Sequence, residues 1–422
     1  MLFANQASSG KKPGTPTIGT ATAGAAQATV AFTAPTYTGK GGTVTYRATS
    51  SPSSITGTST TSPITVTGLV NGTAYTFTVR AETTYGVNSD SSAASNSVTP
   101  SAPQIAIAHE NSPYFGAYPW SSSGFGTKYA DPASLPSDHG SSVSFQTSGA
   151  NVSFGAVPSP YAFAYPFSAG FGTKYSDPAT LPTGHVRGTA FSPSGADVAY
   201  AHTNSPRITA YPFSSGFGTK YADPATLPTD IGYAVAFSPS GADIAVGHAS
   251  SPFISAYPWS SGFGTKYANP ATLPTGTGQG IAFSPNGAQL ALAHLTSPFI
   301  SVYPWSSGFG TKYANPATLP TGSGTGVAFT PDSANIAISH ITSPRISAYP
   351  WSSGFGTKYA NPATLPTGNG QAVAFSNAGT EIAVGHNTSP FISTYPWSSG
   401  FGTKYADPAT LPPNVVVGID FS

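Results

Sequence analysis

At 422 residues the chain is long enough for two or three domains, and its 39% hydrophobic and 12% aromatic content excludes wholesale disorder. Charged residues are 7% and the net charge is +1, which leaves no electrostatic footprint for nucleic acid or an acidic membrane surface. The absence of cysteine excludes disulfides, thiolate zinc sites and cysteine nucleophiles, and no apolar run reaches the length of a membrane span.

The first residues, Met1-Leu2-Phe3-Ala4-Asn5-Gln6, lack the basic start and long apolar stretch of a secretory signal, which predicts folding in a cytoplasm. Residues 1–14 read as a flexible arm. From 15 to 100 short strands follow at sandwich spacing: Ala28–Phe32, Val44–Tyr46, Ile64–Thr67 and Tyr75–Ala81. The run Ser62-Pro-Ile-Thr-Val-Thr-Gly-Leu69, then Asn71-Gly-Thr-Ala-Tyr-Thr-Phe-Thr-Val-Arg-Ala81, with Gly86, Ser92 and Ser97-Val-Thr-Pro100 behind it, resembles a fibronectin type III domain. Leu69 and Tyr75 match that family's corner motif, and the resemblance implies a Tyr75 hydroxyl bonded back to the backbone. Residues 101–103 form a short, stiff linker.

From residue 104 onward one unit recurs seven times, marked by Tyr118, Tyr165, Tyr211, Tyr257, Tyr303, Tyr349 and Tyr395, spaced 47 residues once and 46 thereafter. That period is close to the length of a four-stranded propeller blade. In the copy at 232–275, strands are expected at Gly232–Phe237, Ala242–His248, Phe253–Trp259 and Thr265–Ala268. The turns between them are Ser238-Pro-Ser-Gly241, Ala249-Ser-Ser-Pro252 and Ser260-Ser-Gly-Phe-Gly264, and Asn269-Pro270 stops the last strand. Alternation is weak, as expected where neighbouring blades cover both faces. Pro258 inside the third strand demands a bulge or an unneeded N–H.

The first copy begins at Gln104-Ile-Ala-Ile-Ala-His109 with no first strand, whereas the chain ends on Val415-Val-Val-Gly-Ile-Asp-Phe-Ser422, a first strand with nothing after it. The ends complement one another, which predicts a closed seven-bladed β-propeller over 104–422 whose first blade is completed by 415–422. Phe-Ser-Pro-Ser-Gly-Ala-Asp-Ile-Ala at 237–245 and Tyr-Pro-Trp in the third strand make this part similar to WD-repeat-like propellers, although Ser follows every repeat Trp and the family's Trp-Asp pair is missing. The fold class expected for the whole chain is all-β, an N-terminal fibronectin type III sandwich followed by that propeller.

Six copies carry a histidine at the end of the second strand: His109, His202, His248, His294, His340 and His386, with Val157 near the matching place in the second copy. Two readings compete, a ring of imidazoles for a metal or anion, and a structural histidine tying its turn to a carbonyl; repetition favours the second. Lys128, Lys174, Lys220, Lys266, Lys312, Lys358 and Lys404 each precede Asp or Asn by three residues. Positions i and i+3 of a strand face opposite ways, so no pairing is expected, and the lysines read as charge guarding outer strands. Trp120, Trp259, Trp305, Trp351 and Trp397 read as packing between blades rather than sugar platforms.

No catalytic residue, metal site or cofactor is read from the sequence: the 14 acidic residues are scattered and no phosphate loop is present. Divergence between copies is confined to the run into the first strand and the turn after the histidine, which share one end of an up-and-down blade. That end is expected to bind, through Tyr114, Arg187, Arg207, Tyr233, Arg345 and the histidine ring. Fibronectin type III modules are common on phage particles, so the resemblance implies a non-enzymatic virion protein, part of a tail, fibre or capsid decoration. Its expected partners are other virion proteins and a host glycan or receptor, in several copies per particle and without membrane insertion. A bacterial cell-surface adhesion or carbohydrate-binding protein is the second reading. A propeller enzyme such as a lactonase is the third, disfavoured because the channel-side strands offer Val, Ala, Ile and Phe rather than acidic ligands.

Overall fold

The computed structural model describes residues 11–24, 26–39, 43–84, 86–100 and 102–422. Every named element among them is a strand, and no helix is long and apolar enough to cross a membrane. Contacts divide the chain into two units, Met1–Ala102 and Pro103–Ser422.

In the first unit, β1 (Thr17–Gly24), β2 (Gln27–Thr33) and β5 (Ile64–Thr67) form one antiparallel sheet, and β4 (Thr56–Ser59), β3 (Val44–Ser51) and β6 (Thr76–Thr83) the other. Alternation sets the sandwich: β2 turns Ala28, Val30 and Phe32 inward, and β6 turns Phe77, Val79 and Ala81 onto the same core. The corner is made, with the Val70 N–H donating to the Tyr75 hydroxyl at 3.1 Å. The last edge is a serine ladder of period three. Ser89, Ser92 and Ser95 donate their N–H groups to Ala81, Val79 and Phe77 at 2.9 Å each, and their hydroxyl oxygens accept the N–H groups of those same residues. Residues 1–10 of the expected arm, and Ser101 of the expected linker, lie outside the described residues. Gly14, at the end of that arm, donates to the Tyr37 carbonyl at 2.9 Å and is held to the sandwich.

The second unit is a succession of seven small antiparallel sheets. Sheets 2 to 7 take their first strands from Gly140–Phe145, Val186–Phe191, Gly232–Phe237, Gly278–Phe283, Gly324–Phe329 and Gly370–Phe375. Sheet 1 takes its own from Val416–Phe421, which pairs antiparallel with Gln104–His109. The second strands, such as Asp243–His248, are buried along all six residues in every sheet but the third, where only Asp197 is partly exposed, which explains the missing alternation. The turn between them is closed locally: Ser238 N–H donates to Asp243 O at 2.9 Å, Ser238 Oγ accepts Asp243 N–H at 3.0 Å, and Gly241 takes φ +72°.

Those bonds also account for Pro258. It stands opposite Asp243, whose backbone groups are both engaged by Ser238, so no N–H is needed from the proline. The expected fourth strand does not form. Beyond Trp259 the chain touches the third strand at a single bridge, Trp259 to Phe263, and through two bonds, Gly264 N–H to Pro258 O and Tyr267 N–H to Ala256 O. Sheet 1 alone has a fourth named strand, Gly124–Phe125. Because this outer segment is not an extended strand, the i,i+3 argument fails there. Every repeat lysine reaches the Asp or Asn three residues on, as Lys220 does Asp223 and Lys266 does Asn269.

Neighbouring sheets are joined by one repeated set of contacts. Tyr257 donates its hydroxyl to Thr226 O of the preceding copy at 2.8 Å, and Trp259 stands edge-on to Tyr221 of that copy at 5.2 Å. Sheet 1 makes the same contacts with the end of the chain, Tyr118 to Thr410 O at 2.9 Å and Trp120 to Tyr405 at 5.3 Å. The five tryptophans are 3% to 6% exposed, too covered to stack on a sugar.

Candidate ligand-binding site

In every sheet the pairing of first and second strand slips by one residue at the second position of the first strand. The residue at the slip is Ser141, Arg187, Tyr233, Gln279, Thr325, Gln371 or Val417. A β-bulge leaves that residue out of the ladder and re-aims its side chain. All seven bulge residues line one cavity of about 410 Å³, together with Glu110, His139, Gly140, Val157 and His185. Small residues one step on let the first strands approach: a Cβ on Gly188 would lie 2.8 Å from Ala234 Cα, and one on Gly418 2.9 Å from Ser142 Cα.

The cavity is chemically lopsided. Glu110, His139, His185, Arg187 and Tyr233 come from the earlier copies, and Gln279, Thr325 and Gln371 from the later ones. The Arg187 guanidinium lies 6.0 Å from the centre of the Tyr233 ring. Ser141 donates to Val186 O at 2.5 Å and Thr325 to Gly370 O at 2.9 Å, so these two hydroxyls brace the strands. A second cleft of about 510 Å³ opens between the turns of sheets 6 and 7. Its carboxyl and amide are spent internally, Asp332 accepting the Thr330 hydroxyl and Asn335 the Tyr359 hydroxyl, and the Trp397 indole N–H is left without a partner.

Of the residues singled out by sequence, the cavity gathers Arg187 and Tyr233 and leaves out three. Tyr114, Arg207 and Arg345 occupy the turn after the histidine with φ between +68° and +74°, and their side chains are tied to backbone. Tyr114 donates to Ser137 O at 3.3 Å, Arg345 to Pro366 O at 3.1 Å, and Arg207 to Thr203 O. The amide pair Gln279 and Gln371, with Glu110 and His185, was missed as site chemistry. All but Glu110 lie in the divergent run into the first strand; what was lacking is the bulge that aims Gln279 and Gln371 at the cavity.

The histidine ring is not a contact surface. His109, His202, His248, His294, His340 and His386 are each 0% exposed. The Nδ1–H of His248 donates to Ser250 O at 2.9 Å while its Nε2 accepts from Ser255 Oγ at 3.0 Å; His294 does the same with Thr296 O and Ser301. Burial holds each of the six imidazoles neutral, lowering its pKa to about 4. In sheet 2 the histidine position is Ala156, not Val157, since Ala156 pairs with Gly140 as His202 pairs with Val186. The hydroxyl partner is replaced there by Phe163, an apolar pair for a polar one.

Sheet 1 is the incomplete copy. Its His109 Nε2 has no hydrogen-bond partner, because Gly116 stands where the other five histidine-bearing copies carry Thr209, Ser255, Ser301, Ser347 or Ser393. A Cβ on Gly116 would meet nothing closer than 3.4 Å. Gly116→Ser is expected to raise stability by about 1 kcal/mol beyond Gly116→Ala, by restoring that bond. Urea unfolding of the two variants checks it; equal gains would remove the argument.

Comparison with known proteins places the two units. Residues 12–98 match the family profile of the Fibronectin type III domain. No curated protein matches the chain. A protein from Lactobacillus plantarum is 11% identical and covers 76% of this chain and 99% of its own, with a TM-score of 0.57. A protein from Bacteroides uniformis, provisionally called a 6-phosphogluconolactonase, is 16% identical over 76% of this chain and 99% of its own, with a TM-score of 0.56. The β-propeller domain of Cps50 from Myceliophteria thermophila is 12% identical, covers 66% of this chain and 89% of its own, and has a TM-score of 0.50. At such identities the likeness is one of fold. The chain is an all-β protein, a fibronectin type III domain followed by a propeller-like array of antiparallel sheets.

Proposed function

We propose that the seven sheets are blades of one closed ring and that the chain is a non-enzymatic binding protein whose ligand enters the mouth of the ring's channel. Closure is supported by the Tyr118 and Trp120 contacts with Thr410 and Tyr405, and by Phe145 N–H donating to Asp420 at 2.7 Å between the first strands of sheets 2 and 1. The observation that carries the binding reading is the set of seven bulges, which send the divergent residue of each copy into one cavity while the rest of the repeat stays nearly constant. The lactonase name of one structural neighbour belongs to that protein. In this cavity Glu110 is the one lining carboxyl, and no group of three or more His, Cys, Asp or Glu able to hold a metal occurs among the described residues.

The setting proposed is a phage particle, with the chain as a tail, fibre or decoration component that contacts a host glycan or receptor. The fibronectin type III module and the low-charge, near-identical repeats support it. The test has two parts. Particles purified to homogeneity are expected to contain the chain; finding it instead on the bacterial surface would favour the adhesion reading. The triple variant Arg187→Ala, Tyr233→Ala, Gln371→Ala is expected to lose at least tenfold in adhesion to host cells, while Tyr114→Ala, Arg207→Ala, Arg345→Ala keeps it. Equal adhesion by both variants and the parent overturns the mouth as the binding surface.

A further inference from the structure

The cations of the second unit are almost all committed. Each repeat lysine is bonded to the Asp or Asn three residues on. Arg207 and Arg345 are bonded to backbone carbonyls. Among the described residues of this unit, Arg187 is the one cation with neither an ion pair nor a hydrogen bond, and it is exposed at the mouth. Its guanidinium lies near the Tyr233 ring, an arrangement that steadies the planar group while leaving its donors for a ligand. The amides of Gln279 and Gln371 project into the same cavity without internal partners.

Resting on the reading of the mouth as the binding site, we infer that its ligand is the acidic end of a glycan: a sugar carboxylate held by the Arg187 fork, with ring hydroxyls on the Gln279 and Gln371 amides. A guanidinium pairs with a carboxylate through two parallel N–H···O bonds. Amides, which both donate and accept, suit hydroxyls of either sense. One free cation in the cavity fits a single carboxylate, and Glu110 in the same lining repels a second acidic group. A polyphosphate brings more negative charge than that pairing neutralises. The cavity, about 410 Å³, lies at the small end of ligand sites and suits the terminal sugars of a chain.

The test is calorimetric titration of the full chain with two matched disaccharides, one ending in glucuronic acid and one in glucose. The acidic probe is expected to bind at least tenfold tighter, with the preference shrinking as salt rises from 50 to 500 mM, a range over which the screening length falls from roughly 14 to 4 Å. Arg187→Gln is expected to bring the ratio of the two affinities to about one, and Arg187→Lys to restore part of it. Gln279→Ala with Gln371→Ala is expected to weaken both probes alike. Equal binding of both probes by the parent, lost in Tyr233→Ala, overturns the acidic ligand but leaves the mouth as a binding site. If neither probe binds, and the triple mouth variant also adheres to host cells like the parent, both readings fall.

Discussion

Acidification from pH 7 to pH 5 should destabilise the protein steeply, with the uptake of up to six protons on unfolding. Each buried histidine is pushed down to about 4 in the folded state, mainly by loss of hydration. In the unfolded chain the same group titrates near its ordinary value of about 6.5. A base with a depressed folded pKa leaves the unfolded state binding more protons, so stability is full above about pH 6.5 and falls as pH drops toward 4. A shift of that size is about 3 kcal/mol per histidine once protonation is complete, below about pH 4; by pH 5 about 2 kcal/mol of it is lost at each, and six together reach roughly 10 kcal/mol, comparable with the whole stability of an ordinary domain, about 5–15 kcal/mol.

One group opposes the trend: burial pushes the Asp420 carboxyl up to about 7, so its contribution is present below the ordinary carboxylate range and lost as pH rises toward 7. One carboxyl against six imidazoles does not reverse the sign. Urea midpoints followed by tryptophan fluorescence at pH 7, 6 and 5 test this, with His248→Gln expected to remove about one proton from the slope. An unchanged midpoint between pH 7 and 5 would sink it.

What the sequence disclosed depended on whether a feature repeats within one copy or arises between copies. The three paired strands of each sheet, the turn at Ser238–Gly241 and the complementary ends were legible, because Pro, Gly and apolar runs act locally. The structural reading of the histidines was legible because the residue recurs in six copies, but the sequence also placed them on the binding end, and their complete burial overturns that. The lysine partners were misread because the outer segment looked like a strand, and its sparse bonding shows only in three dimensions. The bonds from Tyr257 and its equivalents to the preceding copy were invisible, since nothing in one repeat names its neighbour. The bulges were invisible too. A one-residue slip exists only relative to a partner strand, and it decides whether Gln279 and Gln371 face the cavity or the ladder.

Deleting residues 415–422 should abolish cooperative folding of the second unit. The deleted strand pairs with Gln104–His109 and packs beside the first strands of sheets 7 and 2. Val416 and Phe421 are 0% and 4% exposed, and burying side chains of this kind stabilises by about 1.5–3 kcal/mol each. The lost ladder adds about 1 kcal/mol per bond. The shortened chain would also bare the second strand of sheet 1, an apolar edge open to pairing with another molecule. Soluble aggregates are therefore expected in place of a monomer, and a synthetic peptide of residues 415–422 added during refolding should restore the monomer and its melting transition. Asp420→Ala in that peptide should rescue less well than the parent peptide, because Asp420 accepts the Phe145 N–H across the seam. The fibronectin type III unit serves as the internal reference, its core being independent of the deleted strand. A shortened chain that stays monomeric and melts at the parent temperature would mean that the last strand closes nothing.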